Sequence, residues 1–229
     1  MKLLGLVGGV SPESTEIYYR LLNDAARKKL GGQHSANLIV YTLDYGVMIK
    51  HYDNRDWDQF RAEVVRGAKA VAAAGAEALV ICSNTTHVGA KASAEATGLP
   101  VIHILDTLVA EMQRRSVEKP LLLGTPVVMA EGFYRDELAK RFSGDVTVPS
   151  AEDREIVGRI ILDELVEGVV RNDSRQELLD ICERSGGDGV ILGCTELCMI
   201  LSQDHLSQPV LDTTSIHAQA ASAFAFGEG

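Results

Sequence analysis

Short apolar, β-branched runs recur along the chain at Leu3–Val7, Leu38–Leu43, Ala78–Cys82, Val101–Ile104, Leu121–Leu123, Val146–Val148, Val190–Leu192 and Val210–Leu211. They are too short for helices and read as strands. The intervals between them repeat apolar positions every three or four residues, which predicts helices. After the first run, Ser11 caps and Pro12 opens a helix whose Ile17, Leu21, Leu22 and Ala25 share a face, and Gly31 and Gly32 end it. A second helix carries Trp57, Phe60, Val64 and Val71 and stops near Gly75. Ser150 with Asp153, and Ser174 with Glu177, read as caps of two later helices. Strands alternating with helices predict an α/β fold of parallel sheets covered on both faces.

The pattern is also written twice. LGLVGG at the start is echoed by LLLGT at 121–125, LVICSNT at 79–85 by VILGCTE at 190–196, and LPVIHILDT at 99–107 by QPVLDTT at 208–214. The three pairs keep their order, which points to internal duplication. The expectation is two pseudo-symmetric lobes, each a parallel sheet flanked by helices, with the active site in the cleft between them. Residues 1–98 plus 208–229 are assigned to the first lobe and 99–207 to the second. The final strand and its Ala-rich helix are too short for a lobe of their own and are expected to return to the first.

Composition narrows the function without naming it. With 229 residues the chain can bury a real core, and 46% hydrophobic with 24% charged residues is ordinary for a globular enzyme. A formal net charge of −10 argues against a nucleic-acid surface, which needs Lys and Arg to neutralise phosphates, but leaves room for a small anionic substrate. No apolar run is long enough to cross a bilayer and no signal-peptide pattern is read, so no membrane association and a cytoplasmic location are expected. Cys82, Cys182, Cys194 and Cys198 lack disulfide-scaffold spacing. Cys194 and Cys198 lack the companion ligands of a zinc site, so no metal is expected.

Chemistry concentrates at strand ends, where ligands bind in such sheets. The GGVSPES loop at 8–14 joins a strand to a helix and offers N–H groups to an anion, yet lacks the glycine pattern of a dinucleotide or P-loop site. Cys82 in VICSNTTH and Cys194 in ILGCTEL end equivalent apolar runs and are followed by hydroxyl or amide residues. Cys182 and Cys198 lie among leucines and read as structural. Two thiols facing one carbon, one as thiolate base and one as thiol acid, can remove and return a proton on opposite faces without a cofactor. His103, inside an apolar run, reads as a core residue; Asp44, Asp106 and Asp212 read as residues that steady loops.

With these motifs in place, the chain resembles the aspartate/glutamate racemase superfamily, in its cofactor-independent aspartate racemase branch. The resemblance runs end to end through GLVGGVSPEST at 5–15, ICSNTTH at 81–87, LLGT at 122–125, ILGCTEL at 191–197 and PVLDT at 209–213. It implies Cys82 and Cys194 as catalytic acid/base residues, and Asn84, Thr85, Thr125 and Thr195 around the α-carboxylate and amino group. It implies Gly9, Val10 and Ser11 in a substrate-facing loop, His217 near the cleft, a small amino-acid substrate, no cofactor and a homodimer. Certain relatives hold the distal carboxylate with an arginine after the second strand and a lysine before the second cysteine. This chain has Met48 and Ile49, and DELVEG at 163–168, in those places, leaving Lys50, His51, Arg55 and His87 as candidates for substrate contacts. The implied activity is racemisation of aspartate, or of aspartate and glutamate. The alternatives are a broad-specificity amino-acid racemase, a maleate-isomerase-like or malonate-decarboxylase-like enzyme, and a small-metabolite binding protein.

Overall fold

A computed structural model describes residues 1–130 and 132–228. In chain order the elements are β1 (Leu4–Gly8), α1 (Pro12–Leu30), β2 (Leu38–Thr42), α2 (Tyr45–Asp53), α3 (Trp57–Ala73), β3 (Ala78–Ile81), α4 (Ala90–Thr97), β4 (Val101–Ile102) and α5 (Ile104–Arg114). There follow β5 (Pro120–Leu123), α6 (Pro126–Met129), α7 (Phe133–Ala139), α8 (Ala151–Asp163), α9 (Asn172–Ser185), β6 (Gly189–Leu192), β7 (Val210–Asp212) and α10 (Thr213–Phe226). The strands make two parallel sheets, ordered β2-β1-β3-β4 and β5-β6-β7. Residues 1–104 with the C-terminal stretch from His217 form one compact unit, and Leu105–Ile216 form the other.

In the first unit the sheet is apolar on both faces, so a continuous hydrophobic run still sorts by the two-residue period of a strand. Leu79 and Ile81 of β3 pack with Phe60, Val64 and Val71 of α3. Ala78, Val80 and the following Cys82 turn to the other face, against Tyr18 and Leu22 of α1 and Ala218, Ala221 and Ala225 of α10. The second unit repeats the logic on one face: Leu121, Leu123, Val190 and Leu192 pack against Val157, Ile160 and Ile161 of α8 and Leu178 and Ile181 of α9. Each such side chain removed from water contributes roughly 1.5–3 kcal/mol against the entropy of ordering the chain.

The expected α/β architecture of two lobes is present, with several details corrected. LPVIH supplies β4, which pairs with β3 in the first sheet, and QPVLDT supplies β7, which pairs with β6 in the second. Each echo therefore ends its own sheet, so 99–102 and 210–212 lie in the opposite lobes from those expected; from His217 onward α10 does return to the first unit. Val146–Val148 forms only an isolated parallel bridge at Thr147. In α1 the buried positions are Ser14, Thr15, Tyr18, Leu22, Asn23 and Ala26, a face rotated from the aliphatic one because Tyr18 fills the core and Ile17 and Leu21 are half-buried. Ser174 does not cap α9, which starts at Asn172; its hydroxyl donates to Glu164 at 2.6 Å inside the fold. His103 lies just past β4, in the turn into α5, and is half-buried.

Candidate functional site

In the first unit, the loop after β1 is shaped by close approach. A Cβ on Gly9, where φ is +91°, would stand 2.2 Å from the Leu43 carbonyl oxygen, so only glycine fits. The Gly9 N–H donates to Thr15 Oγ1 at 2.7 Å, and that hydroxyl donates to the Ser11 carbonyl at 3.0 Å. Ser11 caps α1 as expected, its Oγ accepting from Ser14 N at 3.3 Å. Several N–H groups expected to meet an anion are thus already engaged within the loop. Ser14 Oγ in turn donates to the Cys82 carbonyl at 2.7 Å, binding the loop that carries Gly9, Val10 and Ser11 to the end of β3.

Cys82 follows an interior strand and is 1% exposed. Its thiol has one long contact, 3.6 Å to the Val80 carbonyl, and burial pushes its pKa up. Asn84 and Thr85 are buried in the 3-10 turn that follows, and His87 and His217 are buried in the same unit with ring centroids 5.5 Å apart. The segment with Lys50 and His51 is α2, capped by Asp44 and packed through Met48. Lys50 and Arg55 are exposed and His51 is half-buried.

In the second unit, Cys194 follows the central strand β6. Its Sγ donates to Glu196 Oε2 at 2.9 Å, and Thr195 Oγ1 donates to the same oxygen at 2.8 Å. Glu196 is 3% exposed. Burial first, and the Glu196 carboxylate second, push the Cys194 thiol well above its ordinary value. Glu196 was not singled out in the sequence, where attention fell on the hydroxyl residues after each cysteine; its place two residues after Cys194 was the available signal. Thr125, just after β5, has a buried hydroxyl with no hydrogen-bond partner, and so does Thr214 at the start of α10. Such groups cost free energy unless a ligand or water satisfies them. Cys182 packs in α9, its thiol raised by burial to about 11, in keeping with a structural role.

Among the described residues, no group of three or more His, Cys, Asp or Glu is arranged to hold a metal ion, and no helix is long and apolar enough to cross a membrane. Parallel α/β units, each with a thiol at the end of an inner strand, match the racemases and isomerases that work without pyridoxal phosphate. The chain belongs to the Asp/Glu/hydantoin racemase family, whose sequence profile matches residues 7–221. It is similar to a Yersinia pestis protein provisionally described as an Asp/Glu racemase, with 38% identity, a TM-score of 0.91, and 99% and 100% of the two chains covered. It is also similar to an aspartate racemase homologue from Pyrococcus horikoshii, with 32% identity, a TM-score of 0.85 and the same coverage. The broad-specificity amino-acid racemase RacX of Bacillus subtilis is 20% identical over 222 residues, spanning 95% of this chain and 96% of its own.

Proposed function

We propose that the protein racemises aspartate, or aspartate and glutamate, by proton transfer between the substrate α-carbon and two thiols, Cys82 and Cys194. The observation that carries this reading is a buried thiol within two residues of the end of an inner strand in each unit, the one in the second unit hydrogen-bonded to a carboxylate. Both thiols are held protonated at rest. Transfer of the Cys194 proton to Glu196 gives a thiolate that removes the α-hydrogen, while Cys82 gives its proton to the opposite face. The product has inverted configuration, and the enzyme is left with a Cys82 thiolate, a Cys194 thiol and a protonated Glu196. Return of that proton to Cys82 restores the starting state. The reverse reaction begins with Cys82 as the base.

The carbanion between these steps needs donors fixed in advance. Asn84, Thr85 and the partnerless hydroxyl of Thr125 are assigned to the α-carboxylate. The Thr195 hydroxyl, whose hydrogen is given to Glu196, is left to accept from the substrate ammonium.

A broad-specificity racemase is the second reading. It is favoured by the likeness to RacX and by the exposure of Lys50 and Arg55. The test is α-hydrogen exchange in deuterated buffer, followed by proton NMR and chiral chromatography. L- and D-aspartate are compared with glutamate, alanine and serine. Inversion with deuterium incorporation on aspartate is expected; faster turnover of alanine or serine would favour the broad reading, and no exchange on any amino acid would overturn both.

A further inference from the structure

The three strands of the second sheet end side by side, and the residues that follow them keep its register. Leu123, Leu192 and Asp212 lie in one row across β5, β6 and β7. Just beyond that row Gly193 N donates to the Leu123 carbonyl at 2.6 Å, and Thr213 Oγ1 donates to the Leu192 carbonyl at 2.7 Å. A Cβ on Gly124 would stand 3.3 Å from the Gly193 carbonyl oxygen, so glycine lets β5 and β6 run on at close quarters. One residue further come Thr125, Cys194 and Thr214, with Cys194 in the middle place.

The two threonines share a second property. Each hydroxyl is buried and has no hydrogen-bond partner. Thr214 is 0% exposed, so water does not serve it, and the missing bond is a standing cost of the fold. The fold itself asks for no hydroxyl at this position. Thr213 already ties α10 to β6, and Asp212 closes the turn by accepting from Thr214 N at 3.0 Å and from Ser215 Oγ. The first sheet makes the same step with an apolar residue. Three residues past Ile102 of β4 stands Leu105, 2% exposed, as Thr214 stands three past Leu211 of β7.

Charge selects the group that Thr214 would meet. Glu196 accepts from the Cys194 thiol at 2.9 Å, and Asp212 lies two residues before Thr214. Two carboxylates thus border this end of the sheet, which favours a cation there over an anion. We propose that Thr214 is a substrate-binding residue whose hydroxyl accepts from the ammonium of an amino acid held against Cys194. An ammonium has three hydrogens, of which Thr195 takes one; Thr125, on the other side of Cys194, is left for the α-carboxylate. The proposal rests on the function proposed above in one respect, that an amino acid meets Cys194, and asks nothing of Cys82.

The test removes the hydroxyl and then the amino group. Valine has the shape of threonine without its oxygen, and serine keeps the oxygen. Racemic aspartate, whose composition turnover does not alter, is titrated by calorimetry beside succinate, which has both carboxylates and no amino group. Thr214→Val is expected to weaken aspartate binding about tenfold or more and to leave succinate within about twofold; Thr214→Ser is expected to stay near wild type with both. With no hydrogen bond to lose, the Thr214→Val protein should melt no lower than wild type. Unchanged aspartate binding in Thr214→Val, or equal weakening of aspartate and succinate, overturns the proposal. A fall of several degrees in Tm overturns it too, since the hydroxyl would then be structural, and so does a wild-type protein that binds no aspartate. Aspartate binding that depends on Thr214, without exchange of the α-hydrogen in the wild type, would remove the racemase reading and leave the ammonium subsite standing.

Discussion

The Cys194 thiol donates to Glu196 across 2.9 Å, whereas the position two residues beyond Cys82 is Asn84, an amide with no charge. The duplicated halves therefore give their thiols unlike surroundings. Racemisation has an equilibrium constant of one, so replacing Glu196 must change kcat/KM equally for both enantiomers. Glu196→Gln is expected to lower both about ten- to a hundredfold, as loss of a charged hydrogen bond worth roughly 1.5–3 kcal/mol implies. The asymmetry should emerge in the deuterium isotope effect. It should rise for the α-deuterated enantiomer from which Cys194 takes the proton and stay near wild type for the other. Equal isotope effects in wild type and variant would remove Glu196 from the proton path.

Substituting either thiol should abolish inversion. Cys82→Ser and Cys194→Ser are each expected to reduce racemisation about 10²- to 10⁴-fold, the range for a positioned acid or base. Exchange of the α-hydrogen without inversion, from the face of the surviving thiol, fits the two-base scheme. A near-normal inversion rate in either variant, read by chiral chromatography, would break it.

Acid should weaken the first unit through His217. Burial lowers its pKa from 6.5 to about 4, so the unfolded chain binds a proton that the folded chain refuses. The stabilisation is fully present above pH 6.5 and is lost as pH falls toward about 4, by up to ~3 kcal/mol at about 1.4 kcal/mol per pH unit. Urea midpoints measured at pH 7, 6 and 5 should fall steadily. The slope should be shallower in His217→Gln, where only His87, likewise lowered by burial, still contributes. A midpoint that holds constant from pH 7 to 5 would contradict the neutral buried ring.

Gly9→Ala should destabilise without any chemical change. The positive φ alone costs an alanine about 1–3 kcal/mol, and the added carbon meets the Leu43 carbonyl oxygen. A fall in Tm of several degrees by calorimetry is expected. An unchanged Tm would mean that the loop relaxes away from Leu43.

The alternation of apolar runs with helical intervals made the α/β class legible, because strands buried on both faces must be apolar throughout. The duplication was legible for the same reason, but not its register: Cys82 directly follows β3, whereas Gly193 stands between β6 and Cys194, so the two thiols are offset by one residue. Hydrogen-bond geometry was harder to read. Val146–Val148 has the composition of a strand but finds a partner only at Thr147. Ser174 has the right residue type for a cap but lies two positions inside α9, where it satisfies buried Glu164 instead. The contact between Glu196 and Cys194, and the clustering of His87, His103 and His217 from three separate segments, depend on backbone direction that periodicity does not encode.

The membership of α10 sets the order in which this chain can mature. Leu4, Leu6, Tyr18, Ala78 and Val80 leave a ribosome well over a hundred residues before Ala218, Ala221 and Ala225, which close the face they build. The second unit has its sheet complete at Asp212 and can consolidate before the first. A nascent chain thus carries an open, greasy surface on its first unit until α10 has emerged, the sort of interval in which chaperones bind and truncated products aggregate.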